Sequence, residues 1–269
     1  MLCGLSAPQI ELVTFVMPVD RSLWESHLTR FHAPRWLCPR CGEGLLVLHP
    51  ESVFFRPSGD GYARLEEDPK DRGRDLELRF SATLQCDYRA CQETAAVAGR
   101  GEEKETYELG HREFYVVLFP QFINPSPCLF KIPTATPAAV AELIKSAFVL
   151  SWGDYEGCLN RIRVCLEMFL DALRIPRSVL KAGRRNSLTL HRRIELAQAK
   201  VPSTQPFLMA AKHLGNVGSH SGGLTRQDAF DAFDLLEAIA TALYGEQKKV
   251  TRLALKIVKN RGPLKRKNR

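Results

Sequence analysis

Two cysteine pairs flanking an alternating stretch constrain this chain more than any other feature. Cys38-Pro39-Arg40-Cys41-Gly42 is a C-x-x-C turn, and Cys86-Asp87-Tyr88-Arg89-Ala90-Cys91 separates its thiols by four residues. A C-x-x-C turn points two thiolates at one centre, and the glycine after it permits a tight backbone reversal. Two such knuckles form a tetrahedral all-cysteine set with no open position, so the Zn2+ predicted at Cys38, Cys41, Cys86 and Cys91 is structural. Between the pairs, Leu76, Leu78, Phe80, Ala82 and Leu84 alternate with Glu77, Arg79, Ser81, Thr83 and Gln85. That is the period of a half-buried strand, and it delivers Cys86 to the site. Leu45 to Leu48 and Ser52 to Phe55 read as further short strands, and Pro57 to Arg74 as a polar loop. The alternative for the four cysteines is a set of free core thiols. Cys3, Cys128, Cys158 and Cys165 stand singly and read as small buried hydrophobes.

The pairing chemistry depends on compartment. The first 19 residues lack a positively charged start, and Pro8, Glu11 and Pro18 break their apolar stretches, so a secretory signal is not expected. No run of 18 apolar residues exists, which argues against a membrane span. The expected setting is the reducing cytoplasm, where cysteine pairs hold metal more often than they form disulfides.

The period changes in the second half. Residues 106–130 still read as extended, through Phe114 to Phe119. A connection with Pro120, Pro125, Pro127, Pro133 and Pro137 follows and reads as a domain junction. Beyond it Trp152, Tyr155, Leu159, Ile162, Leu166, Phe169 and Leu173 recur at helical steps, and Pro176 cannot continue the helix. Ser187 to Ala199 and Thr204 to about Leu214 read as shorter helices. Thr225-Arg226-Gln227-Asp228 resembles a capping box opening a last helix through Phe230, Phe233, Leu236, Ile239 and Leu243 to Gly245. The expected fold class is α+β: a small β-rich, zinc-ribbon-like module over residues 1–130, then an all-α bundle over 134–247, then a basic helix and tail over 248–269.

Two polar stripes lie on the helices. Glu156, Asn160, Arg163 and Glu167 step along the long one, and they also read as a solvated edge with an Arg163–Glu167 ion pair. Lys212, Asn216 and His220 share a face over about 12 Å if helix persists there. Histidine beside an amide and a cation suits phosphate binding or acid–base work, and equally a helix end ahead of Ser221-Gly222-Gly223. Charge supplies the third lever. The chain has 38 Lys and Arg against 30 Asp and Glu, a net +8. Ten of those cations fall after Gln247 with no acidic residue among them, so the first 247 residues carry 28 basic against 30 acidic side chains. Lys249, Arg252, Lys256 and Lys259 make one cationic helical face, and Lys265, Arg266 and Lys267 a polar end. RNA or DNA phosphate backbone is the partner such a run attracts, independently of sequence. An anionic membrane surface, an acidic protein and a merely solubilising tail are the alternatives.

The order of these signals resembles a prokaryotic family catalogued as domain of unknown function 4145. The matching residues are Phe130-Lys131-Ile132-Pro133, Arg163 with Glu167, Gly215-Asn216 with His220, and Leu243-Tyr244, covering about 130–245 well and 36–130 loosely. That family is similar to the HEPN superfamily of helical nucleotide-binding bundles, which often dimerise and include metal-independent ribonucleases of defence systems. The resemblance implies a homodimer through the helical domain, a defence-system partner protein, and a candidate catalytic set of His220, Asn216, Lys212, Arg163 and Glu167. In it His220 would act as base or acid on a ribose 2′-OH, with Lys212 or Arg163 stabilising phosphate charge. Lys212 departs from the arginine of active members, and it stands farther from His220 than that arginine does. The expectation is therefore a nucleic-acid-associated protein of a prokaryotic defence-type system. A non-enzymatic adaptor is the rival reading and an active endoribonuclease the third.

Overall fold

In the computed structural model, which describes residues 19–68, 74–108, 111–217 and 223–246, a short helix α1 (Ser22–Glu25) leads into the strands β1 (Leu46–Leu48) and β2 (Phe54–Pro57). Helix α2 (Gly59–Glu67) and the strands β3 (Arg74–Cys86), β4 (Thr94–Glu108) and β5 (His111–Asn124) follow. All pairings are antiparallel: β1 and β2 both lie along β3, then β4 and β5 follow in order. The alternation of β3 sets the layers. Leu76, Leu78, Phe80, Ala82, Leu84 and Cys86 are buried, while Arg79 and Ser81 face outward and exposed. A single Leu28–Leu118 bridge adds the preceding segment to the far side of β5.

Two local readings change here. Residues 57–74 are not all loop, because Ser58 caps α2 by accepting from the Gly61 amide at 3.1 Å. Gly59 and Gly61 lower helix propensity and hide it, yet Gly61 lets α2 lie against the Glu77 carbonyl. The strand expected at Ser52–Phe55 starts later, because Pro50–Ser52 closes a 3-10 turn first.

The second half is helical: α3 (Ala138–Leu150), α4 (Tyr155–Ala172), α5 (Leu190–Ala197), α6 (Gln205–Val217) and α7 (Arg226–Tyr244). The stripe on α4 buries Leu159, Ile162, Leu166 and Phe169 together with Cys158 and Cys165. Each large apolar side chain buried this way stabilises by about 1.5–3 kcal/mol. Asp154 caps α4 by accepting from the Gly157 amide at 2.7 Å. The capping box at Thr225 and Asp228 opens α7 as its sequence indicates. A hairpin, β6 (Ser178–Lys181) and β7 (Arg184–Ser187), stands between α4 and α5, where the sequence pattern gives no strand signal. Its turn residues Ala182 and Gly183 both have positive φ, as a two-residue hairpin turn requires.

One core joins the halves. Trp24, Trp36 and Trp152 are all buried and pack ring on ring, at centroid separations from 4.8 to 6.1 Å. Arg21 clamps the early chain to α7 through Asp231 at 2.6 Å and Asp234 at 2.9 Å. Among the described residues no helix is long and apolar enough to cross a membrane.

Candidate functional site

The cysteine pairs converge. The Sγ atoms of Cys38, Cys41, Cys86 and Cys91 all lie within 4.8 Å of one another. Cys38 and Cys91 stand 3.8 Å apart, and Cys41 and Cys86 3.7 Å. A tetrahedron with metal–sulfur bonds of about 2.3 Å has edges of about 3.8 Å, so the donors are already spaced for a metal ion. No other group of three or more His, Cys, Asp or Glu among the described residues is placed this way.

Local backbone explains the convergence. In the first knuckle the Gly42 amide donates to the Cys38 carbonyl at 2.9 Å, with Gly42 at φ +65°. Gly44 passes so close to the second pair that a Cβ there would sit 2.5 Å from the Cys86 sulfur. In the second knuckle the wider spacing is absorbed by a turn, the Cys91 amide donating to the Tyr88 carbonyl at 2.8 Å. Leu46 pairs with Cys86 across β1 and β3, and the Asp87 carboxylate accepts from the Leu45 amide at 2.8 Å, which locks one knuckle to the other. The thiols differ in acidity. The Gly44 amide, then that of Glu43, bring Cys41 down to about 7, whereas burial pushes Cys86 up to about 12 and raises Cys38. A bound cation would favour the thiolate at all of them.

Cys158 and Cys165 are fully buried in α4, as single apolar cysteines should be. Cys128 is only partly buried, and Cys3 lies outside the described residues.

The helical motif is brought together in part. Gly215 on α6 faces Arg163 on α4: a Cβ on the glycine would meet the Arg163 Cβ at 3.3 Å and the Leu159 carbonyl at 3.4 Å. The glycine thus permits a close crossing, and Asn216, the next residue of α6, is half-buried. Lys212 is half-buried and the neighbouring His213 exposed. Arg163 and Glu167, both half-buried, form no ion pair with each other, while Glu156 and Asn160 are exposed, so the stripe is a partly solvated edge without that pair. His220 lies outside the described residues. So do Lys249, Arg252, Lys256, Lys259, Lys265, Arg266 and Lys267.

Comparison with known families divides the chain along similar lines. Residues 145–259 match the model of a domain of unknown function (DUF4145). Residues 26–127 match a second domain of unknown function (DUF8608). The first range covers the α4–α6 crossing, and the second contains all four clustered cysteines together with the sheet. No curated protein and no solved structure matches the chain.

Sequence reasoning missed two groups of charged residues. Arg193 on α5 is buried and donates to Asp171 on α4 at 2.6 Å and to the Ile175 carbonyl at 3.1 Å. An arginine at an apolar step of a short helix was the available signal. The other group, on the outer face of the sheet, depends on strand register, which no single strand's pattern contains.

Proposed function

We propose that this chain is a zinc-stabilised, nucleic-acid-associated protein of a prokaryotic defence-type system, whose HEPN-like helical half dimerises and engages RNA or nucleotide. In this reading the four thiolates hold a structural Zn2+, which fixes the first half, while the α4–α6 crossing carries the working residues. The observation that carries it is the meeting of Gly215 with Arg163. Two motif residues far apart in sequence share one helix crossing, and Asn216 and Lys212 lie on the same α6 segment. The basic run after Gln247 supports the same polyanionic partner, because phosphate binding follows cation density. A guanidinium at the crossing can neutralise phosphate charge, and His220 can move a proton to or from a ribose hydroxyl.

The test uses the full chain. Purified protein is incubated with labelled RNA without added metal, beside the His220→Ala and Arg163→Gln variants. Binding lost in Arg163→Gln supports the reading, and cleavage lost in His220→Ala makes the protein a ribonuclease. Binding without cleavage assigns the adaptor role. No binding to RNA, DNA or nucleotide by wild type rejects the nucleic-acid reading altogether.

A further inference from the structure

The outer face of the sheet carries a row of cations set by strand register. Arg56 on β2 stands opposite Arg79 on β3, Arg79 opposite Arg100 on β4, and Arg100 opposite Phe119 on β5. Like charges directly opposite one another on one face repel, and Glu77 and Glu102, paired in the next row of the same face, offset that repulsion at Arg79 and Arg100. It crosses four strands and therefore spans about 14 Å. The adjacent row is Phe54, Ser81, Ala98 and Phe122. Its two aromatic rings are open to solvent, Phe54 57% and Phe122 45% exposed. A cationic row thus runs beside an aromatic one on the same face of the sheet.

The guanidinium groups are held ready rather than consumed. Arg56 lies over the Phe54 ring at 5.2 Å, and Arg100 over the Phe119 ring at 4.5 Å. Glu77 pairs with Arg79 at 2.8 Å and Glu102 with Arg100 at 2.5 Å. Both pairs are open to solvent on the arginine side and weak, and each occupies one side of a group with five donors.

At its β5 end the arginine row runs into a cavity of 420 Å³ lined by Arg100, Phe119, Trp152, Tyr155 and Arg226. Arg226 is half-buried. It donates to the Trp24 carbonyl at 2.8 Å and to the Tyr155 hydroxyl at 3.3 Å, and among the described residues it has no carboxylate partner. A half-buried cation with only neutral acceptors lacks the Coulombic return that an anion would give.

We propose that this face binds single-stranded nucleic acid. Bases stack on Phe54 and Phe122, backbone phosphates pair with Arg56, Arg79 and Arg100, and a terminal phosphate enters the Arg226 cavity. Charge complementarity selects a polyanion, and the open rings select one with free π-faces, which a duplex hides within its stack. The proposal rests on the nucleic-acid reading above and extends it, by adding on the sheet a strand-binding surface distinct from the α4–α6 crossing and from the basic run after Gln247.

The experiment measures fluorescence anisotropy of the full chain with labelled oligo-U, oligo-dT and a duplex of equal length, with salt titrations. The variants are a triple Arg56→Gln/Arg79→Gln/Arg100→Gln chain, a double Phe54→Ser/Phe122→Ser chain, Arg226→Gln, and Lys265→Gln/Arg266→Gln/Lys267→Gln, all checked for folding by circular dichroism. The triple variant is expected to bind single strands about tenfold or more weakly and to lose about 2 from the salt slope. The aromatic variant should weaken single-strand binding with the slope unchanged, a split that loss of structure does not produce. Arg226→Gln should abolish any preference for a 5′-phosphorylated strand over its 5′-hydroxyl form. Binding of either the ribo- or the deoxy-strand supports the proposal, and their ratio identifies which is read. A folded triple variant that binds like wild type, while the Lys265/Arg266/Lys267 variant loses binding, overturns the sheet proposal and leaves the nucleic-acid reading standing. Tighter binding of the duplex, or equal binding of a poly-glutamate peptide, also overturns it. Absence of binding by wild type to every strand removes both.

Discussion

The Trp152 indole meets that of Trp36 edge-on at a centroid separation of 5.3 Å, and this contact makes one core of the cysteine-bearing half and the helical half. Trp36 is 1% exposed and donates its Nε1 hydrogen to the Leu23 carbonyl at 2.9 Å. Trp152 donates to the Ser126 hydroxyl at 3.0 Å. Aromatic rings of this size carry large buried areas and prefer tilted or edge contacts. Trp152→Ala should therefore destabilise the chain by about 3–5 kcal/mol. Urea denaturation followed by far-UV circular dichroism should show the loss in one cooperative transition. A variant whose sheet and helices melted in separate steps, with one unaffected, would count against a shared core.

Metal content offers an independent check on the first half. The sulfur spacing of 3.7–3.8 Å leads us to expect about one zinc per chain by elemental analysis. Cys86→Ser should abolish it, because a hydroxyl is a poor substitute for a thiolate ligand. Cys165→Ser should retain the metal, since that thiol lies in the α4 core, where burial pushes it up to about 12. The same burial should keep Cys158 and Cys165 unreactive toward thiol reagents until the chain unfolds. A folded, metal-free wild type with four rapidly modified cysteines would refute the site.

The α4–α6 crossing is tested at Gly215. Alanine gains about 1 kcal/mol of helix propensity, but its methyl group would press on Arg163 at 3.3 Å. A larger residue has no such balance: Gly215→Val should force the helices apart and cost about 1–3 kcal/mol. Thermal denaturation measures the effect, and RNA binding by a folded Gly215→Ala chain reports whether the position of Arg163 matters to function.

How much of this was legible beforehand depended on the range of the interaction. The β3 alternation, the α4 stripe and the Thr225–Asp228 cap are written within a few residues, and each reappears in place. The cysteine spacing likewise announced its own convergence, since only a metal or a disulfide gives such pairs a common task. Helix α2 was hidden because its stability comes from packing Gly61 against β3 rather than from propensity. The row of Arg56, Arg79 and Arg100 was illegible for a deeper reason. Register places those three residues opposite one another, and register is a property of strand pairs.

Arg193 tests the price of a buried cation. Its side chain is 4% exposed, with Asp171 as its carboxylate partner. Asp171→Asn would leave the guanidinium buried without a counter-charge and should cost about 3–5 kcal/mol. Arg177 first, and then Arg193, hold the Asp171 carboxyl below the usual carboxylate range. A depressed folded value means the contribution is present above the unfolded value of about 3.9 and lost as pH falls through the folded one. Acid titration of the wild type should show this loss below about pH 4, and Asp171→Asn should flatten it.

Glu237 on α7 runs the opposite way. Burial, and then the nearby Asp234, raise its carboxyl to about 7. Its Oε2 atom is buried with no hydrogen-bond partner among the described residues. A carboxyl raised in the folded state is protonated there while the unfolded chain ionises from about pH 4.3 upward. The folded state therefore binds the extra proton, and stability falls as pH rises from that value through about 7. Partial exposure screens the effect, so the penalty above pH 7 is about 1 kcal/mol. Glu237→Gln removes the charge while keeping the shape, and should raise the melting temperature at pH 8 but not at pH 4. A gain of equal size at both values would show that Glu237 ionises as freely in the folded chain as in the unfolded one.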